Sequence, residues 1–203
     1  GGRMSDKVAL VIGAGDATGG AIARRFARES YIAVGTRRTA DALEPLVKQI
    51  EAEGGRAVGM GSDARDEEQV EALFERIESE IAPVEVLVFN IGANVFFPIT
   101  ETTARVYRKV WEMAAFAGFL TGREAARRMV PRGQGTIIFT GATASMRGAA
   151  GFSAFSGAKF ALRALAQSMA RELGPQGIHV AHTIIDGAID TEWIKQNFPD
   201  RYA

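Results

Sequence analysis

The chain contains no cysteine, which removes disulfides, thiolate nucleophiles and cysteine metal sites together. Histidine is almost as scarce, with only His179 and His182, both inside IHVAHTII. Three apart on a strand, they point to opposite faces, so a shared metal ion is not expected. A charge of prevailing sign is missing too: 24 Lys+Arg balance 24 Asp+Glu. No net field therefore recruits nucleic acid or an anionic membrane. No apolar run reaches membrane-spanning length, and no basic-then-apolar leader opens the chain. The missing thiols are compatible with a reducing cytoplasm, which is the expected location. The GGR ahead of Met4 reads as an appended tail, and residues 1–6 are set aside.

What remains is a chain of 203 residues, enough for one domain, 7–203, with a core that needs no staples. Short runs rich in Val and Ile alternate with longer helical patterns. KVALVIG, YIAVGT, RAVGMG, VEVLVFN, GTIIFTG and IHVAHTII read as six strands. Ile22, Phe26 and Ala27 mark a first helix; Leu43, Leu46, Val47 and Ile50 a second, with Pro45 tolerated in its first turn. Val70, Leu73, Phe74, Ile77 and Ile81 mark a third, and a fourth is predicted from Thr103 to Met129. The fifth carries Phe155, Lys159, Leu162, Ala166, Met169 and Leu173 at spacings of four and three, and stops at Gly174-Pro175. Such alternation predicts an α/β fold: a doubly wound parallel sheet in a three-layer α/β/α arrangement.

Two stretches carry chemistry. The first strand runs into GAGDATGGAIARRFA, a glycine turn opening a helix, where backbone N–H groups and the helix dipole can hold a pyrophosphate. Gly13, Gly15 and Gly19 are present, and Thr18 stands where G-x-G-x-x-G needs its last glycine. The other reading of this turn is packing alone. The second strand ends Thr36-Arg37-Arg38 without an acid. This favours the 2′-phosphate of NADP over the ribose hydroxyls of NAD. Against it stand two readings: the arginines are solvated residues opening a helix, and Asp16 in the loop opposes an extra phosphate. The second stretch is GFSAFSGAKFAL, where Lys159 occupies an apolar position of the fifth helix. It is either a snorkelling lysine or a cation held in a cleft.

These motifs together resemble the short-chain dehydrogenase/reductase family from Lys7 to about Thr191, which implies a Rossmann-type sheet and hydride transfer between a nicotinamide and a carbonyl or alcohol carbon. The family's T-G-x-x-x-G-x-G is matched by Ile12, Gly13, Ala17 and Gly19, and its N-N-A-G by Phe89-Asn90-Ile91-Gly92. Asp63 falls at the family's adenine aspartate, and Gly187 and Thr191 at its P-G-x-x-x-T, with Asp186 for proline. In the family this threonine region contacts the nicotinamide amide. The resemblance therefore implies that Gly13, Gly15, Ala17, Thr18, Gly19, Thr36, Arg37, Arg38, Asp63, Asn90, Gly92, Lys159, Gly187 and Thr191 hold NAD(P). Ala17 adds a methyl where the backbone approaches phosphate, tolerable at negative φ.

The family's catalytic tetrad fares differently. Its lysine maps to Lys159, but its tyrosine maps to Phe155, its serine to Ala142 and its asparagine to Ala115. Enoyl reductases place their tyrosine seven residues before the lysine, where Phe152 stands. Hydroxyls lie nearby at Thr140, Thr143, Ser145, Ser153 and Ser156; capping and turn chemistry accounts for such residues, and none replaces a lysine-tuned phenol. Two expectations stand side by side: an NAD(P)-dependent oxidoreductase with a non-standard proton route, and a catalytically silent NAD(P)-binding sensor or oligomer subunit. Val95, Phe96 and Phe97 suggest an apolar small-molecule substrate. The resemblance also implies homodimers or homotetramers through the fourth and fifth helices. It implies a seventh strand beyond Ala203 as well, without which the sixth is an apolar edge.

Overall fold

The computed structural model describes residues 5–92, 94–141 and 147–184. The six apolar runs form a single sheet from β1 (Val8–Ile12), β2 (Ile32–Arg37), β3 (Arg56–Gly61), β4 (Val84–Phe89), β5 (Gly135–Gly141) and β6 (Ile178–Ile184). The strand order is β3-β2-β1-β4-β5-β6, and every pairing is parallel. All five residues of β1 are buried, as strands covered on both faces require. Alternate side chains serve opposite layers: Val8, Leu10 and Ile12 join one apolar cluster, Ala9 and Val11 another.

The helices supply the other side of each cluster. On one face lie α1 (Ala17–Arg28) and α2 (Glu44–Ala52), with Ile22, Phe26 and Ile50 buried against the sheet. On the other lie α3 (Glu67–Glu80), α5 (Ala117–Met129) and α6 (Ser153–Leu173). Local chemistry sets their ends. Asp66 caps α3 by accepting from Glu68 N and Gln69 N at 3.0 and 3.3 Å. Pro45 sits in the first turn of α2, where no intrahelical donor is lost.

The predicted fourth helix is not one α-helix. Thr103 is its N-cap, accepting from Val106 N at 3.1 Å. The chain then runs through α4 (Ala104–Trp111), a π-helical turn (Glu112–Phe116) and α5. A π turn bonds residues five apart, and Trp111 stacks on Phe116, five residues on, with ring centroids 5.6 Å apart and planes 19° apart. Farther along, α5 closes on α6 at Gly118, where a Cβ would collide with Leu162 Cδ1. Tyr31, read as part of the second strand, precedes β2, and Asp63 lies two residues past β3. Strand order reverses between β1 and β4, which leaves a crevice at their carboxyl ends, the usual ligand position in open parallel sheets.

Candidate active site

The turn after β1 is shaped by backbone demands. Gly13 has φ +84°, and a Cβ there would collide with the Asn90 carbonyl oxygen. The N–H groups of Gly13 and Ala14 both donate to Thr36 O at 3.1 Å, fastening the turn to the end of β2. Asp16 is the N-cap of α1; its Oδ1 accepts from Gly19 N at 2.6 Å and from Asn90 Nδ2 at 3.2 Å. Ala17 begins the helix with ordinary φ, since Ser30 is the one non-glycine residue at positive φ among those described. Its methyl is therefore unstrained. Thr18 beside it is half-buried.

This turn borders a cleft of about 420 Å³ at the carboxyl ends of the strands, lined by Gly13, Thr36, Arg37, Arg38, Ser62 and Asp63 among others. The Arg37 guanidinium folds over the loop: a Cβ on Gly15 would lie 2.9 Å from its Nη1. Asp63 is already engaged, because Arg65 grips it with Nε at 3.0 Å and Nη2 at 2.9 Å, and with its backbone N–H at 3.0 Å. That fork, helped by Arg38, holds the Asp63 carboxyl below the usual aspartate range. Sequence reasoning missed Arg65, although its place two residues after Asp63 is a signal for an Asx-type turn. It also missed Ser62, whose buried Oγ has no hydrogen-bond partner. A second cleft, about 370 Å³, lies at the other end of the sheet. Its Arg24 and Arg28 are both bound to Glu53, at 2.9 and 2.8 Å, and clasp α1 to the end of α2.

Lys159 is 3% exposed, so it does not snorkel. Its Nζ donates to Ile91 O at 3.1 Å and Thr140 O at 3.4 Å. Burial pushes its pKa down to about 8, since low polarity disfavours the charged form. Thr140 Oγ1 donates to Asn90 Oδ1 at 3.0 Å, and Asn90 Nδ2 donates to Gly13 O and Asp16 Oδ1, both at 3.2 Å. Polar contacts thus run from Lys159 through Thr140 and Asn90 to the cap of α1. Gly92, by contrast, stands exposed, with open space where a Cβ would be.

The neighbouring positions are apolar. Ala115, in the π turn, and Phe155, in α6, belong to one buried cluster with Val110, Ala114, Ala154 and Ala158, and Val95 packs against it. Phe152 precedes α6 and meets Phe96 edge-on at 5.3 Å. The hydroxyls of Ser153 and Ser156 are buried and unpartnered, so neither performs the capping expected of it. Tyr107 reaches Gly157 with its hydroxyl, 3.1 Å from where a Cβ would lie, and Tyr31 lines the opposite cleft. Ala142, Thr143, Ser145, Asp186, Gly187 and Thr191 lie outside the described residues. His179 is exposed and His182 half-buried on β6. Burial, then the charges of Arg163 and Lys159, hold the His182 pKa below its usual value.

A family model described as short chain dehydrogenase matches residues 7–201. The chain belongs to that family. A short-chain dehydrogenase/reductase of Armillaria gallica is 32% identical over 177 residues, covering 86% of this chain and 68% of the relative. Several curated relatives extend well past it: the chain spans 14% and 61% of the length of two others. Among solved structures, a short-chain dehydrogenase from Rhodopseudomonas palustris is 57% identical, with TM-score 0.86 over 90% of this chain and 86% of that one. A metagenomic short-chain oxidoreductase crystallised with NADP is 26% identical, with TM-score 0.84 over 89% of this chain and 82% of that one.

This short-chain dehydrogenase combines a polar crevice, lined by the glycine turn, Arg37, Arg38 and Asp63, with an apolar wall that includes Ala115 and Phe155. No helix among the described residues is long and apolar enough to cross a membrane.

Proposed function

We propose that the chain is an NAD(P)-dependent oxidoreductase whose proton route does not pass through a phenol. One observation carries this reading: Lys159 is buried with backbone carbonyls as its hydrogen-bond acceptors, at the end of a polar chain that reaches the α1 cap. A buried ammonium without a carboxylate is costly, so a site that keeps one has a use for it. The residues fit a dinucleotide. The glycine turn offers backbone donors at α1, and the orphaned Ser62 hydroxyl borders the cleft. Gly13, Gly15, Ala17, Thr18 and Gly19 would hold the pyrophosphate. Thr36, Arg37, Arg38 and Asp63 would hold the adenosine end, and Asn90, Gly92, Gly187 and Thr191 the nicotinamide end.

A nicotinamide would supply or accept a hydride at a substrate carbon. Lys159 binds ribose hydroxyls in this arrangement and keeps a proton at Nζ near neutral pH, since its pKa lies at about 8. Arg37 and Arg38 favour NADP over NAD, because a guanidinium fork matches a 2′-phosphate. Phe96 and Phe97 are exposed, and Phe96 meets Phe152 at the start of α6, which favours an apolar substrate. Exposed Trp111, Phe119 and Phe160 on α4, α5 and α6 favour self-association through those helices. A cytoplasmic location accords with nicotinamide chemistry.

The second reading, a silent NAD(P)-binding sensor or subunit, draws on a different observation. Ala115 and Phe155 share one apolar cluster, so the two replacements fit each other. The test is hydride transfer, followed by nicotinamide absorbance, with a panel of carbonyl, alcohol and enone substrates and both reduced and oxidised cofactors. Turnover above background supports the oxidoreductase. NADPH binding without any turnover supports the silent protein.

A further inference from the structure

The N-terminus of α1 already holds an anion supplied by the protein. Asp16 Oδ1 accepts from Gly19 N at 2.6 Å and from Asn90 Nδ2 at 3.2 Å. Both are donors at the mouth of the glycine turn, and Gly19 N is one of the N–H groups that α1 leaves unpaired at its start. Aspartate is a strong N-cap because its oxygen answers that N–H. The same positive helix end attracts phosphate. One N–H cannot serve two anions equally, and two anions within a few ångströms repel.

We propose that Asp16 is an internal competitor for the diphosphate seat, so that its carboxylate lowers the affinity of this protein for any nucleotide diphosphate. The inference rests on the dinucleotide reading of the cleft and specifies how that seat is tuned. Asp16 is exposed, so its carboxylate has room to turn away from Gly19 N. Arg37, whose guanidinium lies against Gly15, offers a cation one residue from the displaced carboxylate. Asn90 loses one acceptor in that movement and keeps its bonds to Gly13 O and Thr140 Oγ1, so the turn itself stays fastened.

Asp16→Ser and Asp16→Asn each keep an oxygen for Gly19 N and remove the charge; thermal melts verify that both fold. Calorimetry with ADP, with adenosine as the phosphate-free control, reads the effect without any turnover, and NADPH fluorescence repeats it on a dinucleotide. Both variants are expected to bind ADP and NADPH about tenfold more tightly than the parent, the size of a screened charge–charge term at close range. Adenosine affinity stays unchanged. Equal ADP and NADPH affinities in parent and variants overturn the competitor role and leave the dinucleotide reading standing. Absence of ADP and NADPH binding in all three proteins overturns both.

Discussion

The two halves of the crevice differ in what their polar atoms do. On the β1–α1 side, Asp16, Asn90, Thr140 and Lys159 are joined by hydrogen bonds that lead from one element to the next. On the side built from the π turn and the start of α6, Ala115 and Phe155 close an apolar cluster, and Ser153 and Ser156 bury hydroxyls without partners. Loss of function by drift leaves holes and orphaned groups. Here the aromatic ring and the small side chains fill one another's space, although the two serine hydroxyls remain unanswered. On the proposed reading, nucleotide binding and proton transfer would be separable, because the glycine turn with Asn90 and Thr140 is polar while the Ala115–Phe155 wall is not.

The largest effect is expected from restoring the chemical half. Phe155→Tyr together with Ala142→Ser adds a phenol on the lysine-bearing helix and a hydroxyl at the position that the family resemblance gives to serine. Carbonyl reduction with NADPH should rise about 100-fold or more, the usual worth of a positioned general acid. An unchanged rate in a folded double variant would show that the two halves no longer communicate.

Lys159 joins the halves, and its burial can be read in solution. Its pKa is lowered from 10.5 to about 8 by burial, so the folded state binds fewer protons than the unfolded state between those values. Stability should therefore rise from pH 8 to pH 10.5, by about 3 kcal/mol at most from this group. Below pH 8 the penalty is present in full. Lys159→Met should remove the rise and increase stability at pH 7, while weakening NADPH binding. Denaturant titrations at pH 7 and pH 10 on parent and variant check this; equal pH responses in the two would contradict a buried amine.

The smallest effect is expected at the glycine turn. Ala17→Gly restores the family's residue at a position that has no strain to relieve. NADPH affinity should change less than about threefold, and stability should fall by up to about 1 kcal/mol from a glycine in the first turn of a helix. A large gain in affinity would mean that the Ala17 methyl obstructs phosphate after all.

Much of this was legible in the residues. The six strands were readable because a sheet buried on both faces writes itself as near-continuous Val and Ile runs. The glycine turn was readable because its backbone excludes side chains at Gly13. What escaped were arrangements without a period. The π turn interrupts an apolar pattern that still counts as helical; the backbone of Glu112–Phe116 shows it, and the Trp111–Phe116 stack accompanies it. The Asp63–Arg65 fork joins residues too close together for any periodic pattern to register.

By itself, the sequence determined the order of strands and helices along the chain and the family, because these depend on side-chain type and spacing. Only the tertiary structure decided what those residues mean to one another. Lys159 could have been a snorkelling lysine until the ends of β4 and β5 placed two carbonyls around its amine. Asp16 could have been a solvated loop acid until Gly19 and Asn90 closed on it. The physical reason is shared: burial and hydrogen bonding between residues some 70 positions apart arise only when a parallel sheet brings its carboxyl ends together.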